Sequence, residues 1–312
     1  MIRLLSLMLL LQAGLVAFLY WPEGEEQITG ALIPGFAFDN IDRIEVTDAE
    51  GDSVVLNLDD GAWNLAGGLP ADSDKVSALT DALARDPGLA IATSESAARR
   101  FKLSDDNFER RVVLGAGNVE RTAYLGTSPT FRKIHARSEG DANIYMIELN
   151  SYDAPVETGP WLDKTLLAQR DLGSLELYDL RFVREGEGWR RDDGESVDDE
   201  AMEQLLQVLE GLRVSGLVAD DDADAGAAGE ALRISLGSGP DTQQLLVLDN
   251  PEIERYYLSS DRFAHLFDTS AYDAERLIEA AKALVGIAEE PGELEEAPED
   301  EEQDAVEASS SS

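Results

Sequence analysis

A pair of short motifs that occurs twice in the same order most constrains how this chain can fold. Asp60-Gly61-Ala62-Trp63 follows an alternating apolar stretch and precedes an acid-started helical stretch, and Glu187-Gly188-Trp189 has the same neighbours. Further on, Ser151-Tyr152-Asp153 returns as Ala271-Tyr272-Asp273. The two Trp residues are 126 positions apart and the two Tyr residues 120. This internal repeat predicts two modules of similar length and order.

Each half predicts a mainly antiparallel sheet with one packed helix. In the first half, the alternating stretches 41–46 and 53–58 flank a Gly-containing turn, which is typical of a hairpin. Asp72 or Ser73 can then cap a helix with apolar residues at helical spacing, and Asp198 or Asp199 does the same in the second half. Because a meander of short strands follows in both halves, the predicted fold class is α+β.

The remaining segments differ in composition from these two repeats. We divide the chain into a membrane anchor at 1–22, a stalk at 23–37, a first α+β repeat at 38–158, a connector helix at 159–171, a second α+β repeat at 172–288 and an acidic tail at 289–312. The tail holds eleven acidic residues and no basic one. Such a segment buries too little apolar surface to offset the entropy of ordering, so we expect it to be disordered.

The first twenty residues indicate either a signal peptide or a membrane anchor. Residues 4–20 are almost all apolar, and Arg3 precedes them. The missing Ala-x-Ala site and the interfacial pair Tyr20-Trp21 favour an uncleaved anchor helix. Positive charge stays on the cytoplasmic side. We therefore expect a single-pass protein of a bacterial inner membrane, with its N-terminus in the cytoplasm and its bulk in the periplasm.

The charge and cysteine content exclude several classes of partner and site. With 64 acidic against 25 basic residues, the formal charge is -39, and phosphate binding requires clustered Lys and Arg. Nucleic acid and an anionic lipid surface are therefore poor partners for the folded part. The absence of cysteine excludes disulfides, thiol nucleophiles and cysteine-ligated metals.

We find no residue pattern that predicts catalysis, a cofactor or a metal. The only histidines are His135 and His265, and His135 fits a half-buried strand position where the second half has Tyr256 or Tyr257. Gly115-Ala116-Gly117 fits a hairpin turn better than a dinucleotide loop, because another strand follows it.

Three further sets of residues have a functional and a structural interpretation. Asp220, Asp222 and Asp224 have the alternate spacing of a calcium loop but lack its turn glycine and final Glu, so we interpret them as linker. Trp63 and Trp189 could stack on a ligand, yet their repetition favours a role in the core. The same reasoning predicts core positions for Tyr152 and Tyr272.

The chain resembles an uncharacterised family, the domain of unknown function 4340. The resemblance covers about residues 1–285 and rests on the apolar N-terminal segment and four motifs. These are Ile-x-x-Ile at 41–44, Gly-x-Trp at 61–63, Trp161-Leu162-Asp163-Lys164-Thr165-Leu166-Leu167, and Gly188-Trp189 in the second copy. Members of that family are typically encoded beside ABC transporter subunits of the gliding-motility or auxiliary type. The resemblance thus implies an extracytoplasmic accessory protein of a transporter complex, and it supplies no catalytic residues.

These observations lead to two main hypotheses of function. The first is a non-enzymatic, membrane-anchored periplasmic protein that contacts an ABC transporter permease or its extracytoplasmic subunit. The alternative is a small-molecule or glycan-binding module with a cleft between the two repeats, and an enzyme such as a carboxylate-pair hydrolase ranks third. Because shared features look structural, we expect function where the repeats differ. The candidate interaction residues are Trp161, Asp163 and Lys164 of the connector, followed by the loop 220–230.

Overall fold

The computed structural model of the protein describes residues 31–219, 221–238 and 241–287. The predicted membrane anchor and the acidic tail lie outside these residues. Within them, none of the helices has the length and apolar character needed to cross a bilayer. Leu32 and Ile33, which belong to the predicted stalk, are buried in the core, so the chain joins the folded body before residue 38.

The first half contains a run of short strands with a helix after the third. Its elements are β1 (Arg43–Asp48), β2 (Ser53–Asp59), β3 (Ala62–Asn64), α1 (Ser73–Ala84), α2 (Glu95–Arg100), β4 (Leu103–Ser104), β5 (Asn107–Phe108), β6 (Arg110–Ala116), β7 (Val119–Leu125), β8 (Ile134–Ser138) and β9 (Tyr145–Ile147).

The second half repeats this order and ends in a long helix. Its elements are β10 (Ser174–Leu177), β11 (Leu180–Glu185), β12 (Gly188–Arg191), α3 (Asp199–Glu210), β13 (Gly216–Leu217), α4 (Ala223–Gly226), β14 (Gly229–Ser238), β15 (Asp241–Asn250), β16 (Arg255–Ser260), β17 (Leu266–Thr269) and α5 (Ala271–Val285).

The two halves form sheets with the same strand order. The first sheet runs β3-β2-β1-β6-β7-β8-β9, and the second runs β12-β11-β10-β14-β15-β16-β17 with β13 added beside β17. Neighbouring strands are antiparallel throughout both sheets. The predicted α+β class of two similar, mainly antiparallel modules is thereby confirmed for the described residues.

Strand register places the repeated motifs at equivalent points. Trp63 lies opposite Leu58 on the neighbouring strand, and Trp189 lies opposite Arg184. Both α1 and α3 have 12 residues, and each starts at an aspartate whose side chain accepts two backbone N–H groups. These caps, Asp72 and Asp198, satisfy donors that the first turn of a helix leaves without partners.

One apolar core continues through both halves. It contains buried residues of both sheets, of α1, α3 and α5, and of the connecting segment between them. A smaller cluster around Leu103, Tyr124 and Ile144 lies under α2 and the short β4–β5 hairpin. The two modules therefore share their interior.

The connector helix predicted at 159–171 is wrong. The segment forms one 3-10 turn at Gly159–Trp161, followed by turns over 164–167. Its local backbone bonds are limited to such turns, and others reach distant residues: Asp163 N–H donates to Pro70 O at 2.9 Å, and Leu162 forms a β-bridge with Ala71. These long-range bonds hold the segment extended where a helix would need local ones.

Candidate interaction site

Trp161 is a packing residue of the connector. Its side chain is fully buried, and the indole Nε1–H donates to Pro155 O at 2.9 Å. Its carbonyl accepts from the N–H of Asp72, the cap of α1, at 2.7 Å. Trp161 therefore positions the start of α1, and its ring offers no surface to a partner.

Asp163 organises the turn after Trp161. One carboxylate oxygen, Oδ1, accepts from the N–H of Thr165 at 2.8 Å and from its hydroxyl at 2.7 Å. This is the usual way in which an aspartate stabilises a tight turn. The half-buried side chain thus has a local structural role beside the predicted interaction role, which stays a prediction.

Lys164 links the connector to the second half. Its ammonium group donates to Gly159 O at 3.1 Å and to Ser215 O at 2.6 Å, while its own carbonyl accepts from Val214 N–H at 2.9 Å. Since the connector also bonds to Pro70 and Asp72 of the first half, Lys164 lies at the seam between the two modules.

Two further cations approach Lys164, and we name the three residues Lys75, Lys164 and Arg213 the seam cluster. Burial lowers the pKa of Lys164, and the positive charges of Lys75 and Arg213 lower it further. The Lys75 ammonium donates to Pro160 O. Among the described residues, no ion pair includes a member of the seam cluster. The ammonium groups of Lys75 and Lys164 donate only to carbonyl oxygens among the described residues, so the seam favours an incoming anion.

The acidic loop of the second half is packed on the sheet. Asp222 caps α4 and lies 3.5 Å from the Arg255 guanidinium, and Asp224 lies 3.8 Å from it. Asp220 lies outside the described residues. In the part of the chain that the structure describes, no group of three or more acidic or histidine side chains could hold a metal ion. The described acids of this loop thus pair with an arginine, and the linker interpretation is wrong for them.

The histidine positions agree with a structural role. His135 is buried, stacks on Phe101 at 4.0 Å between ring centroids, and its Nδ1 lies 2.9 Å from the Thr127 hydroxyl. Burial lowers the pKa of His135, a bond to the Thr127 backbone opposes this, and the nearby Arg100 charge adds to it. Sheet register makes His135 equivalent to Tyr257, which confirms one of the two predicted counterparts.

The repeated aromatic residues divide into two kinds. Trp63 and Trp189 are partly buried and pack against the core, as predicted. Tyr152 and Tyr272 are 81% and 66% exposed, so their predicted core role is wrong. What recurs in the Tyr-Asp motif is the aspartate, because Asp153 and Asp273 both complete the N-terminal cap of a helical turn.

The hairpin turn predicted at Gly115-Ala116-Gly117 is confirmed. Gly117 lies in the tight turn between β6 and β7 with φ 60°, as expected for a hairpin.

A cavity of about 420 Å³ lies within the first half and is polar, with Arg99 and Arg137 facing carboxylates of Asp105 and Asp106. No local sequence pattern predicts this cavity, because its walls come from α2, β4 and the β8–β9 loop.

Comparison with known families supports the resemblance seen in the motifs. The family described as Domain of unknown function (DUF4340) matches residues 63–229, more than half of the chain. The match runs from Trp63 past Trp189 and contains the whole connector. Comparison with curated proteins and with solved structures finds no match. By this match, the chain belongs to the DUF4340 family.

Proposed function

We propose that the protein is a non-enzymatic, membrane-anchored periplasmic accessory protein of an ABC-transporter-type complex. It acts through protein–protein contacts with the permease or its extracytoplasmic subunit. The observation that supports this best is the seam cluster in a chain of formal charge -39. Lys75 and Lys164 donate to the adjacent carbonyls of Pro160 and Gly159, and Arg213 precedes Val214, which bonds to the Lys164 backbone.

The physical argument concerns charge compensation. A partly desolvated ammonium is stabilised when a carboxylate lies near it, and Lys164 has two like charges nearby instead. Lys75 and Arg213 are exposed, so an acidic segment of a partner can reach them without unfolding the seam. Such contacts give orientation and partner choice more than raw affinity, which suits an accessory protein that must dock in one pose.

Copurification with the permease tests the proposal. The double variant Lys75→Gln/Arg213→Gln leaves Lys164 and its structural bonds in place, and we expect it to recover roughly ten-fold less permease. The matched control is Arg121→Gln/Arg184→Gln, which removes two exposed cations away from the seam. Equal recovery by both double variants would contradict the proposal.

The membrane topology has a separate test. Alkaline phosphatase fused after Ile287 folds only in an oxidising compartment. We expect an active fusion, because the positive residue before the apolar segment places the rest of the chain outside. An inactive but stable fusion would reject the periplasmic placement while leaving the protein-binding proposal to the copurification test.

A second candidate function is the binding of a small molecule or glycan. The polar cavity of about 420 Å³ in the first half favours it, since its volume suits a small ligand. Arg137 anchors its floor through Leu103 O at 2.7 Å and Asp105 at 2.9 Å. A library of sugars can be tested for an increase in melting temperature. An increase that disappears when the exposed wall residue Arg99 is changed to Ala would support this candidate.

A further inference from the structure

The hairpin turn between β7 and β8 has an equivalent between β15 and β16. Leu125 lies opposite Ala136 in the first sheet, and Val247 lies opposite Leu258 in the second, so Arg132 and Glu254 occupy the same position. Both residues adopt the left-handed backbone conformation, with φ 58° and 53°. The same turn is therefore built twice.

In the second half, the cation that follows this turn pairs with the chain's own acidic loop. Arg255, at the start of β16, lies 2.7 Å from Asp268 across the strand pair and 3.5 and 3.8 Å from Asp222 and Asp224. The loop is held there by Asn250, whose side-chain amide donates to Asp224 O at 2.9 Å. A cation at this position is thus compensated by carboxylates of the same chain.

In the first half, the equivalent turn is open. Lys133 takes the place of Arg255, and Met146 takes the place of Asp268, so the cross-strand carboxylate is missing. Lys133 is exposed and takes part in none of the ion pairs found among the described residues. Phe131 at the tip is 85% exposed, whereas its counterpart Ile253 is 40% exposed. The Arg132 guanidinium lies 5.8 Å from the Phe131 ring centroid.

The groove beside the turn is larger in the first half than in the second. A groove of about 260 Å³ lies between the end of α1 and β9. It is lined by Lys133, Met146, Ile147, Ala82, Asp86 and Pro87 and by the Arg85–Glu148 ion pair. Beside α3, the cavity that includes Val208, the counterpart of Ala82, measures about 30 Å³ and is partly walled by α5. The first half therefore has an open, mainly polar groove next to exposed cations, where the second half is filled.

We propose that this open turn surface, formed by Phe131, Arg132, Lys133 and the adjoining groove, docks an acidic segment of a partner protein. Partner carboxylates occupy, over Lys133, the place that Asp222 and Asp224 have over Arg255, and the partner segment continues into the groove. A lipid surface fits less well, because a flat bilayer leaves a concave groove empty and the chain carries a formal charge of -39. The inference rests on the proposed function for the identity of the partner complex.

Site-specific photocrosslinking in the full chain tests the proposal. A photoreactive benzoylphenylalanine replaces Phe131, or Ile253 at the equivalent turn as the matched control, in membranes that contain the transporter complex. We expect a protein adduct from position 131 roughly ten-fold stronger than from position 253, and a similar loss of the adduct in Lys133→Glu. Arg184→Glu, an exposed charge reversal in the second half, should leave it unchanged. Mapping should place the adduct in a segment with carboxylates.

Several results would overturn the inference. They are adducts with lipid alone, equal protein adducts from positions 131 and 253, and an adduct that persists unchanged in Lys133→Glu. Thermal unfolding of Lys133→Glu checks that the variant is folded, and Lys133→Gln replaces it if it is not. If the permease copurifies while position 131 gives no protein adduct, only this inference fails. If the adduct maps to an acidic segment of a protein outside any transporter, this inference stands and the proposed function fails.

Discussion

The two halves start a helix with the same chemistry after their last strands, but only the second half continues it. Asn150 and Asp153 form a capping box in the first half, and Ser270 pairs with Asp273 in the second. The first helix ends after the three residues Ser151–Asp153, whereas α5 runs for 15 residues. A cap therefore fixes where a helix begins, and the following residues decide its length.

The residues after the cap explain this difference. In the first half, Ala154-Pro155 follows, and a proline disfavours helical conformation in the residue before it. In the second half, Ala274, Leu277, Ala281 and Leu284 recur at helical spacing and are buried in the core. As a result α5 packs beside α3, while the equivalent corner beside α1 holds the open groove. The halves share what folds them and differ in what they leave exposed.

Replacing Trp161 of the connector should destabilise the protein most, and more than replacing either repeated Trp. Trp161→Ala should lower the free energy of unfolding by about 4 kcal/mol, because it removes a fully buried ring and its hydrogen bond to Pro155 O. Trp63→Ala and Trp189→Ala should each cost about half as much, since both side chains are only partly buried. Urea denaturation measures all three. Equal losses would mean that the connector is no more important to the fold than the repeated motif.

A glycine that only the first half requires gives the next largest effect. A Cβ at Gly126 would lie 2.0 Å from Phe101 O and 2.7 Å from Lys102 O, because the segment after α2 crosses β7 there. The equivalent position of the second half carries Leu248. Gly126→Ala should therefore cost about 3 kcal/mol in denaturant unfolding. Gly229→Ala is the control, since no atom lies within 4 Å of its added Cβ, and a comparable loss there would remove the steric explanation.

The sequence predicted what local patterns determine. Alternating strands, the Asp72 and Asp198 caps and the hairpin turn at Gly117 depend on neighbours a few residues away, and each was found where expected. The exposure of Tyr152 and Tyr272 was missed, because a repeated motif does not reveal which of its residues the repeat preserves.

The candidate site was harder to predict than the fold. The apolar spacing of 161–167 favours a helix, yet long-range bonds to the carbonyls of Pro70 and Ser215 override it. Lys133 and Arg255 are recognised as equivalent residues only when strand register aligns the two sheets. Such contacts join residues far apart in the chain, and no local pattern encodes them.

The helix caps test whether the halves are energetically alike. Asp72→Ala and Asp198→Ala each remove a carboxylate that accepts two backbone N–H groups. We expect each to lower the free energy of unfolding by about 1 kcal/mol. The double variant should cost about the sum, because additivity holds for caps on separate helices. A loss confined to one variant, measured by thermal unfolding, would show that the halves differ in more than their exposed surfaces.

His135, a buried residue of β8, should make the stability of the first half sensitive to mild acid. The folded-state pKa of His135 is lowered by burial, so below its ordinary value near 6.5 the unfolded chain binds the proton more readily. Stability should therefore be fully present above that pH and fall as the pH decreases from about 7 to 5.5. His135→Gln should flatten the melting temperature over this range, and His265→Gln serves as the control. An unchanged slope in His135→Gln would assign the sensitivity to other groups.

The smallest expected effect concerns the counterpart of His135. The Tyr257 hydroxyl is buried and has no hydrogen-bond partner among the described residues, whereas His135 is bonded to Thr127. Removing a buried polar group that makes no bond costs little, because its desolvation penalty disappears with it. Tyr257→Phe should thus change the free energy of unfolding by less than about 1 kcal/mol, in the stabilising direction. A clear destabilisation in urea would mean that the hydroxyl has an ordered partner. The turn before Arg255 would then be stabilised by more than the ion pairs of that residue.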